Sequence, residues 1–422
     1  MKRYATLLIG WFLGLCASLA AFVLLVDPYD VLHGPRISGF NTNKTRRDED
    51  GRRVTVGQLV MERGHGTLLF GNSRAVDGFP RAMSDAEWPG GLINAGIRAS
   101  GPFEQTRAAV LAGRSPDLRC VVMTFDYGSF AVAPKAKSTY WISALPDGNA
   151  TAALFRTALS PHAFWRSVQT ISDNIAGRPD KDRWPDTYPP GEQRRRYLNG
   201  ARGYVASYRS LEFDETRLDF MMTGLAALAE HGVQVIGVLY PLHAWHEEAM
   251  VQTGKMSEAD GWRAELTERF AELAANTPIA PCAASRAGAV LWDFTGFQMA
   301  PYSFPPAEDA TGPQPYFYEA AHFTPLVGVA VLNRIAGRPL APPFNQREFG
   351  VALTPKTVSQ RVGDERTLRA QWLSDDPNAQ MIESKIAAWM KTETAESHGP
   401  RDPLSRDDWA ALRRDITRLA RH

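Results

Sequence analysis

Five short apolar runs, each bounded by turn residues, recur along the middle of the chain: Thr67 to Phe70, Gly91 to Asn94, Cys120 to Phe125, Val233 to Tyr240 and Ala289 to Trp292. Most are rich in branched and aromatic residues, which suits buried strands. Between them lie segments with helical spacing, at Phe103 to Ala112, Glu215 to Glu230 and Ala259 to Ala275. Strand and helix in alternation predict an α/β fold built on a doubly wound parallel sheet. Sites in such sheets form outside the carboxyl ends of the strands. The residues that matter are therefore Gly71-Asn72-Ser73, Asn94-Ala95-Gly96, Asp126-Tyr127, Tyr240-Pro241-Leu242-His243 and Asp293.

The N-terminus adds a second constraint. After Lys2 and Arg3, residues Ala5 to Val26 carry no formal charge. As a helix this run of about 22 residues would be roughly 33 Å long, enough to cross a bilayer. Lys2 and Arg3 would stay on the cytoplasmic side, which places the body of the protein in the periplasm or outside the cell. Ser18-Leu19-Ala20 offers a small-residue cleavage site, but apolar residues continue to Val26, which suits a retained single-pass anchor. Cys16 has the bulky Leu15 before it, where a lipid-attachment site has a small residue. The remaining cysteines, Cys120 and Cys282, read as a buried thiol and a separate loop thiol, with a disulfide between them as the alternative in an oxidising compartment.

Charge excludes one class of partner. The 422 residues carry 47 basic and 46 acidic side chains, a net of +1, far from the basic field of a nucleic-acid binder. The chain divides into an anchor (1–26), a polar lead-in (27–64), a sheet domain (65–335) and a charged, helical appendage (336–422). The stretch from about 132 to 212 breaks the alternation. It is rich in Trp, Tyr and Pro and reads as an insertion: a lid, a glycan platform, or packing aromatics in a helical excursion. Its Arg194-Arg195-Arg196 reads as a solvated face.

Ser73 ends the first strand, and Glu319-Ala320-Ala321-His322 lies far downstream. A serine hydroxyl becomes nucleophilic when an imidazole takes its proton, and the imidazole needs a carboxylate to fix its tautomer. Spaced three apart, Glu319 and His322 can share one side of a turn. Thr324 and Pro325 then read as N-cap and first residue of an apolar helix, which leaves His322 in the loop before it. Asp293 is an alternative partner for His322. Tyr240 and His243 read as lining a substrate cleft or as loop packing. His243, His246 and Glu247 depart from the order of the zinc motifs, and no metal or other cofactor is assigned.

These blocks resemble those of the SGNH (GDSL-like) hydrolases and their acyltransferase relatives. Gly71-Asn72-Ser73 matches the nucleophile block, with Asn72 for the usual acid. Asn94-Ala95-Gly96-Ile97 resembles the second block, and Glu319-Ala320-Ala321-His322 the last. The resemblance implies a three-layer sandwich in which Ser73 attacks an acyl carbonyl, His322 is base and then acid, and Glu319 orients it. It also implies that the N–H groups of Ser73 and Gly96 hold the oxyanion. The third block departs from the family: Asp126 stands where a donating asparagine is expected, and an ionised carboxylate cannot donate. Asn72 or Arg74 would then complete the hole, with Arg74, Asp126, Tyr240 and His243 facing substrate. With export, the resemblance extends to envelope proteins that move acyl groups on glycans, among them the alginate O-acetylation proteins and the D-alanyl-transfer protein of teichoic acids. An envelope polysaccharide, a membrane-bound O-acyltransferase and the membrane itself are the partners this implies. The alternative is a glycan-binding or assembly protein that kept the fold and lost turnover.

Overall fold

The computed structural model describes residues 2–46, 51–131, 136–178, 184–276, 289–393 and 402–421. They form two compact units: residues 1–62 with 136–184, and residues 63–135 with 185–422.

The second unit is built on a seven-stranded, mostly parallel sheet. Its strands are β1 (Thr67–Phe70), β2 (Ala82–Met83), β3 (Leu92–Asn94), β4 (Cys120–Phe125), β5 (Gln234–Leu239), β6 (Ala289–Asp293) and β7 (Val351–Leu353), ordered β2-β3-β1-β4-β5-β6-β7. β1, β4 and β5 are buried along their whole length, which is why they read as continuous apolar runs. Five strands run parallel; β2 and β7 are short antiparallel edges that the apolar pattern did not reveal. Chain order reverses at β1, with β3 on one side and β4 on the other. A crevice opens at such a point because the connections leave in opposite directions.

The C-terminal helices are part of this unit. Asp415, on the Arg406–Leu419 helix, receives Arg107 Nη2 at 2.6 Å and Arg114 Nη2 at 3.0 Å. Trp409 meets Phe220 edge-on at 5.2 Å between centroids. The Val358–Asp375 helix contributes Arg361, whose Nη2 donates to the Thr295 carbonyl at 2.7 Å. Asp376 caps the next helix just before Pro377.

The first unit takes in the N-terminal helix, the lead-in and the first half of the insertion, which the sequence had divided among three segments. The Lys2–Val26 helix is long and apolar enough to cross a membrane, with a mean hydropathy of 2.4. Its last turn is built into a core: Val23 packs with Tyr29, Val54 and Ala163. Lys44 Nζ donates to the Val26 carbonyl at 2.7 Å and Asn41 Nδ2 to that of Leu25 at 3.2 Å. A helix end carries partial negative charge and unsatisfied carbonyls, so a buried ammonium there is stabilising. Cys16 is a free thiol. Cys120, read from sequence as a buried thiol, is disulfide-bonded; Cys282 lies outside the described residues.

Candidate active site

Gly71 opens the site because nothing larger fits. A Cβ there would lie 2.0 Å from Thr124 Oγ1 and 2.6 Å from Ala75 Cβ. The chain can therefore turn from β1 straight into the Ser73–Gly78 helix. Asn72 is the cap: its Oδ1 accepts from Arg74 N at 3.0 Å. With the cap supplied by Asn72, the Ser73 hydroxyl points elsewhere.

It points at His322. His322 Nε2 lies 2.9 Å from Ser73 Oγ, and Nδ1 is hydrogen-bonded to Glu319 Oε1. The His322 backbone N–H also donates to that oxygen at 2.8 Å. Burial of Glu319 opposes its charge, but the bond and the charge of His322, with Arg74 nearby, hold its carboxyl below the usual range. An ionised carboxylate then fixes Nδ1–H and leaves Nε2 to accept the serine proton, the arrangement that makes a hydroxyl nucleophilic. Asp293 takes no part. It is fully buried and paired with Arg263 and Arg361, each at 3.3 Å, and it accepts from Thr295 N at 2.8 Å.

Two further glycines set the distance between the two arms. A Cβ on Gly78 would meet the Phe323 ring at 2.1 Å, and one on Gly328 would meet the Gly78 carbonyl oxygen at 1.8 Å. The end of the serine helix is thereby pressed against the start of the Pro325–Ile335 helix. Thr324 stands at the N-cap as expected, but its hydroxyl donates to the Pro315 carbonyl at 2.5 Å rather than capping.

Arg74 ties the parts together. Its Nε donates to the Ala321 carbonyl at 3.2 Å, Nη1 to Tyr240 Oη at 3.1 Å and to Asp126, and Nη2 to Tyr204 Oη at 3.2 Å. Burial disfavours its charge, yet Asp126 and the two tyrosines raise its pKa. Asp126 also accepts from Ser129 N at 2.8 Å and from Ser129 Oγ at 2.6 Å. The residue in the place of the expected asparagine is thus an anchor for Arg74 and for the turn after β4.

Of the expected oxyanion donors Ser73, Gly96 and Asn72, two are hydrogen-bonded within the protein. Gly96 N–H donates to Asn94 Oδ1 at 2.9 Å, which commits it to its own turn. Asn72 Nδ2 donates to Tyr240 Oη at 2.8 Å. The Ser73 N–H has no partner among the described residues and stays available at the serine.

An open cleft of about 300 Å³ adjoins Ser73, lined by Asn72, Arg74, Ser100, Gly101, Asp126, Ser129, Tyr204, Ser207, Tyr208, Leu211 and Arg217 among others. Arg74 and Asp126 face it as expected. His243 does not: it is fully buried, its Nδ1 accepts from Trp245 N at 3.1 Å, and its ring packs against Tyr197 and Phe317. Burial drives its pKa down to about 3, so it is neutral. Tyr240 is also fully buried and reaches the site through its hydrogen bonds, among them those with Asn72 and Arg74. His246 Nε2 is bonded to Tyr208 Oη, and Glu247 Oε1 accepts from Gly296 N at 2.7 Å; these neighbours of His243 serve separate partners.

Sequence reading missed the wall supplied by the Glu192–Ser210 helix. Tyr197, Ala201, Tyr204, Tyr208 and Leu211 fall at alternating spacings of four and three, a helical stripe that fits the packing-aromatics reading of this insertion but was not picked out residue by residue. This helix also approaches the carboxylate that bonds His322: a Cβ on Gly200 would lie 2.9 Å from Glu319 Oε2.

No family model matches the chain. The search of curated proteins likewise returns no match.

Proposed function

We propose that the protein is a membrane-anchored, extracytoplasmic serine acyltransferase or esterase of the SGNH type, acting on O-acyl groups, acetyl foremost, of an envelope polysaccharide. The observation that carries this reading is the Ser73–His322–Glu319 relay, closed at 2.9 Å between hydroxyl and imidazole. Three others support it. The five parallel strands and their reversal at β1 suit a doubly wound SGNH-like sandwich with the nucleophile at the switch point. Hydroxyl and phenol groups line the cleft, which suits a sugar acceptor. The Cys120 disulfide and the capped end of the Lys2–Val26 helix suit an oxidising compartment and a retained anchor. A membrane-bound O-acyltransferase is the proposed source of the acyl group. Ser73 attacks the acyl carbonyl as His322 takes its proton, and the Ser73 N–H receives the developing oxyanion. His322 then protonates the leaving oxygen. Water or a sugar hydroxyl repeats the cycle in reverse, so the acceptor decides between hydrolysis and transfer.

A second reading has its own observation. With Gly96 N–H engaged by Asn94 and Asp126 engaged by Arg74, the oxyanion site is short of donors, as in a glycan-binding or assembly protein that has lost turnover. Loss of one such donor costs about 10²- to 10³-fold in rate. Incubating the detergent-solubilised chain with an activated acetyl ester separates the two. The enzyme reading expects acetate release, or an acetyl adduct by intact mass, that Ser73→Ala abolishes. A wild type no different from Ser73→Ala sinks it in favour of the second.

A further inference from the structure

In the first unit, the Ala150–Ala158 and Pro161–Ile175 helices are built inside out for a protein surface in water. The longer helix buries Ala163, Ser167, Thr170 and Asp173, small or polar residues at helical spacing. It turns outward Trp165, 58% exposed, and Ile175, 74% exposed, and the preceding helix and its C-cap add Phe155 at 66% and Leu159 at 57%. A soluble amphipathic helix puts its aromatic and branched residues on the other side. Isolated exposed hydrophobics need no explanation, but a continuous face of them marks a contact.

The position of the pair identifies the contact. Both helices pack against the end of the Lys2–Val26 helix. Phe22 and Phe164 meet at 5.5 Å between ring centroids, and Val23 shares its core with Ala163. On the N-terminal helix the wholly or partly covered positions are Cys16, Ala20, Phe22, Val23 and Val26, all within the uncharged run. From Cys16 to Val26 is about 15 Å of helix rise, roughly one leaflet of a hydrocarbon core about 30 Å thick. The polar margin lies at the same end. Asp173 receives Thr45 Oγ1 at 3.0 Å and Arg46 Nη2 at 2.8 Å, and Lys44 caps Val26.

We propose that the face formed by Phe155, Leu159, Phe164, Trp165 and Ile175 is sunk in the lipid leaflet at the Val26 end of the N-terminal helix. This inference rests on the reading that this helix spans the bilayer. The occupant is lipid because the face continues the surface of the span itself, at a depth where water is absent. A tryptophan there belongs to the aromatic belt of the interface.

The test is to reconstitute the full chain in nanodiscs containing a lipid with a photoactivatable diazirine on its acyl chain, and to map label by peptide mass spectrometry. The expected result is label both in 5–26 and in 155–175, at least about tenfold above the Glu215–Glu230 helix, since acyl chains exclude soluble elements. Label in 5–26 with none in 155–175 overturns the inference and leaves the span standing. Label in neither removes the span as well. The same labelling in native membranes addresses a protein occupant: a face that labels in nanodiscs but not in native membranes is covered by protein, and the inference falls.

Discussion

The Ser73–His322–Glu319 relay predicts two separable losses. Ser73→Ala should abolish the acetyl adduct and lower kcat by roughly 10⁴-fold or more. Glu319→Gln keeps the shape but can hold the imidazole in the wrong tautomer, and kcat should fall by about 10⁴-fold with KM little changed. Steady-state kinetics on one activated ester checks both; a Glu319→Gln enzyme at wild-type rate would remove the carboxylate from the mechanism. Arg74 and Asp126 make a prediction about stability. Each is buried and opposite in charge to the other, so removing one strands the other. Arg74→Met should cost about 3–5 kcal/mol in urea unfolding, and the Arg74→Met/Asp126→Asn double variant less than the sum of the singles. Strict additivity would mean that the pair is not coupled. At this scale the sequence made Ser73, His322 and Glu319 legible, because the chemistry of each is local to a short block. It did not make Asp126 legible: a carboxylate in an asparagine's place is explained only by Arg74, 52 residues away in the chain. For His243 the sequence left cleft lining and loop packing both open, and the packing is what is seen. A strand-end position places a residue near the cleft but does not say which way its ring turns.

Elements were legible where burial is symmetric. β1, β4 and β5 are buried along their length, and their apolar runs mark them nearly to the residue. The antiparallel edges, two and three residues long, are too short to carry a period. The Glu192–Ser210 helix carries a clear stripe, but the Arg194–Arg196 run and the flanking prolines obscured it. That helix fixes more than a wall. Because a Cβ at Gly200 would press on Glu319 Oε2 at 2.9 Å, Gly200→Ala should push the carboxylate off His322. Misplacements of about 1 Å can cost around 10²-fold in rate, while alanine in mid-helix adds up to about 1 kcal/mol of stability. The expected outcome is a lower kcat in a protein that melts no earlier. A variant with unchanged kcat would show that Glu319 has room to spare.

Across the sheet unit, a buried carboxyl makes stability depend on pH. Burial raises Glu247 to about 7 from 4.5, with the charge of Asp293 adding to it and the Gly296 N–H, Arg263 and Arg361 opposing it. The folded form therefore binds a proton that the unfolded form releases. Its contribution is complete below the unfolded value of 4.5 and is lost as pH rises through about 7. Glu247→Gln should flatten the fall in Tm between about pH 5 and pH 8; an unchanged slope would assign the fall to another group. The division into two units was not legible from sequence, because the first draws on segments separated by more than 70 residues, closing at Asp173 on Thr45 and Arg46. The distance along the chain between Ser73 and His322 has a different kind of consequence. They are 249 residues apart, and every strand of the parallel core is made between or before them. A nascent or truncated chain that stops short of residue 322 holds the hydroxyl with nothing to activate it. On the proposed acyl chemistry, activity would stay silent until His322 has been made and docked beside Ser73, so a hydrolytic assay would also report that the two arms of the site have come together.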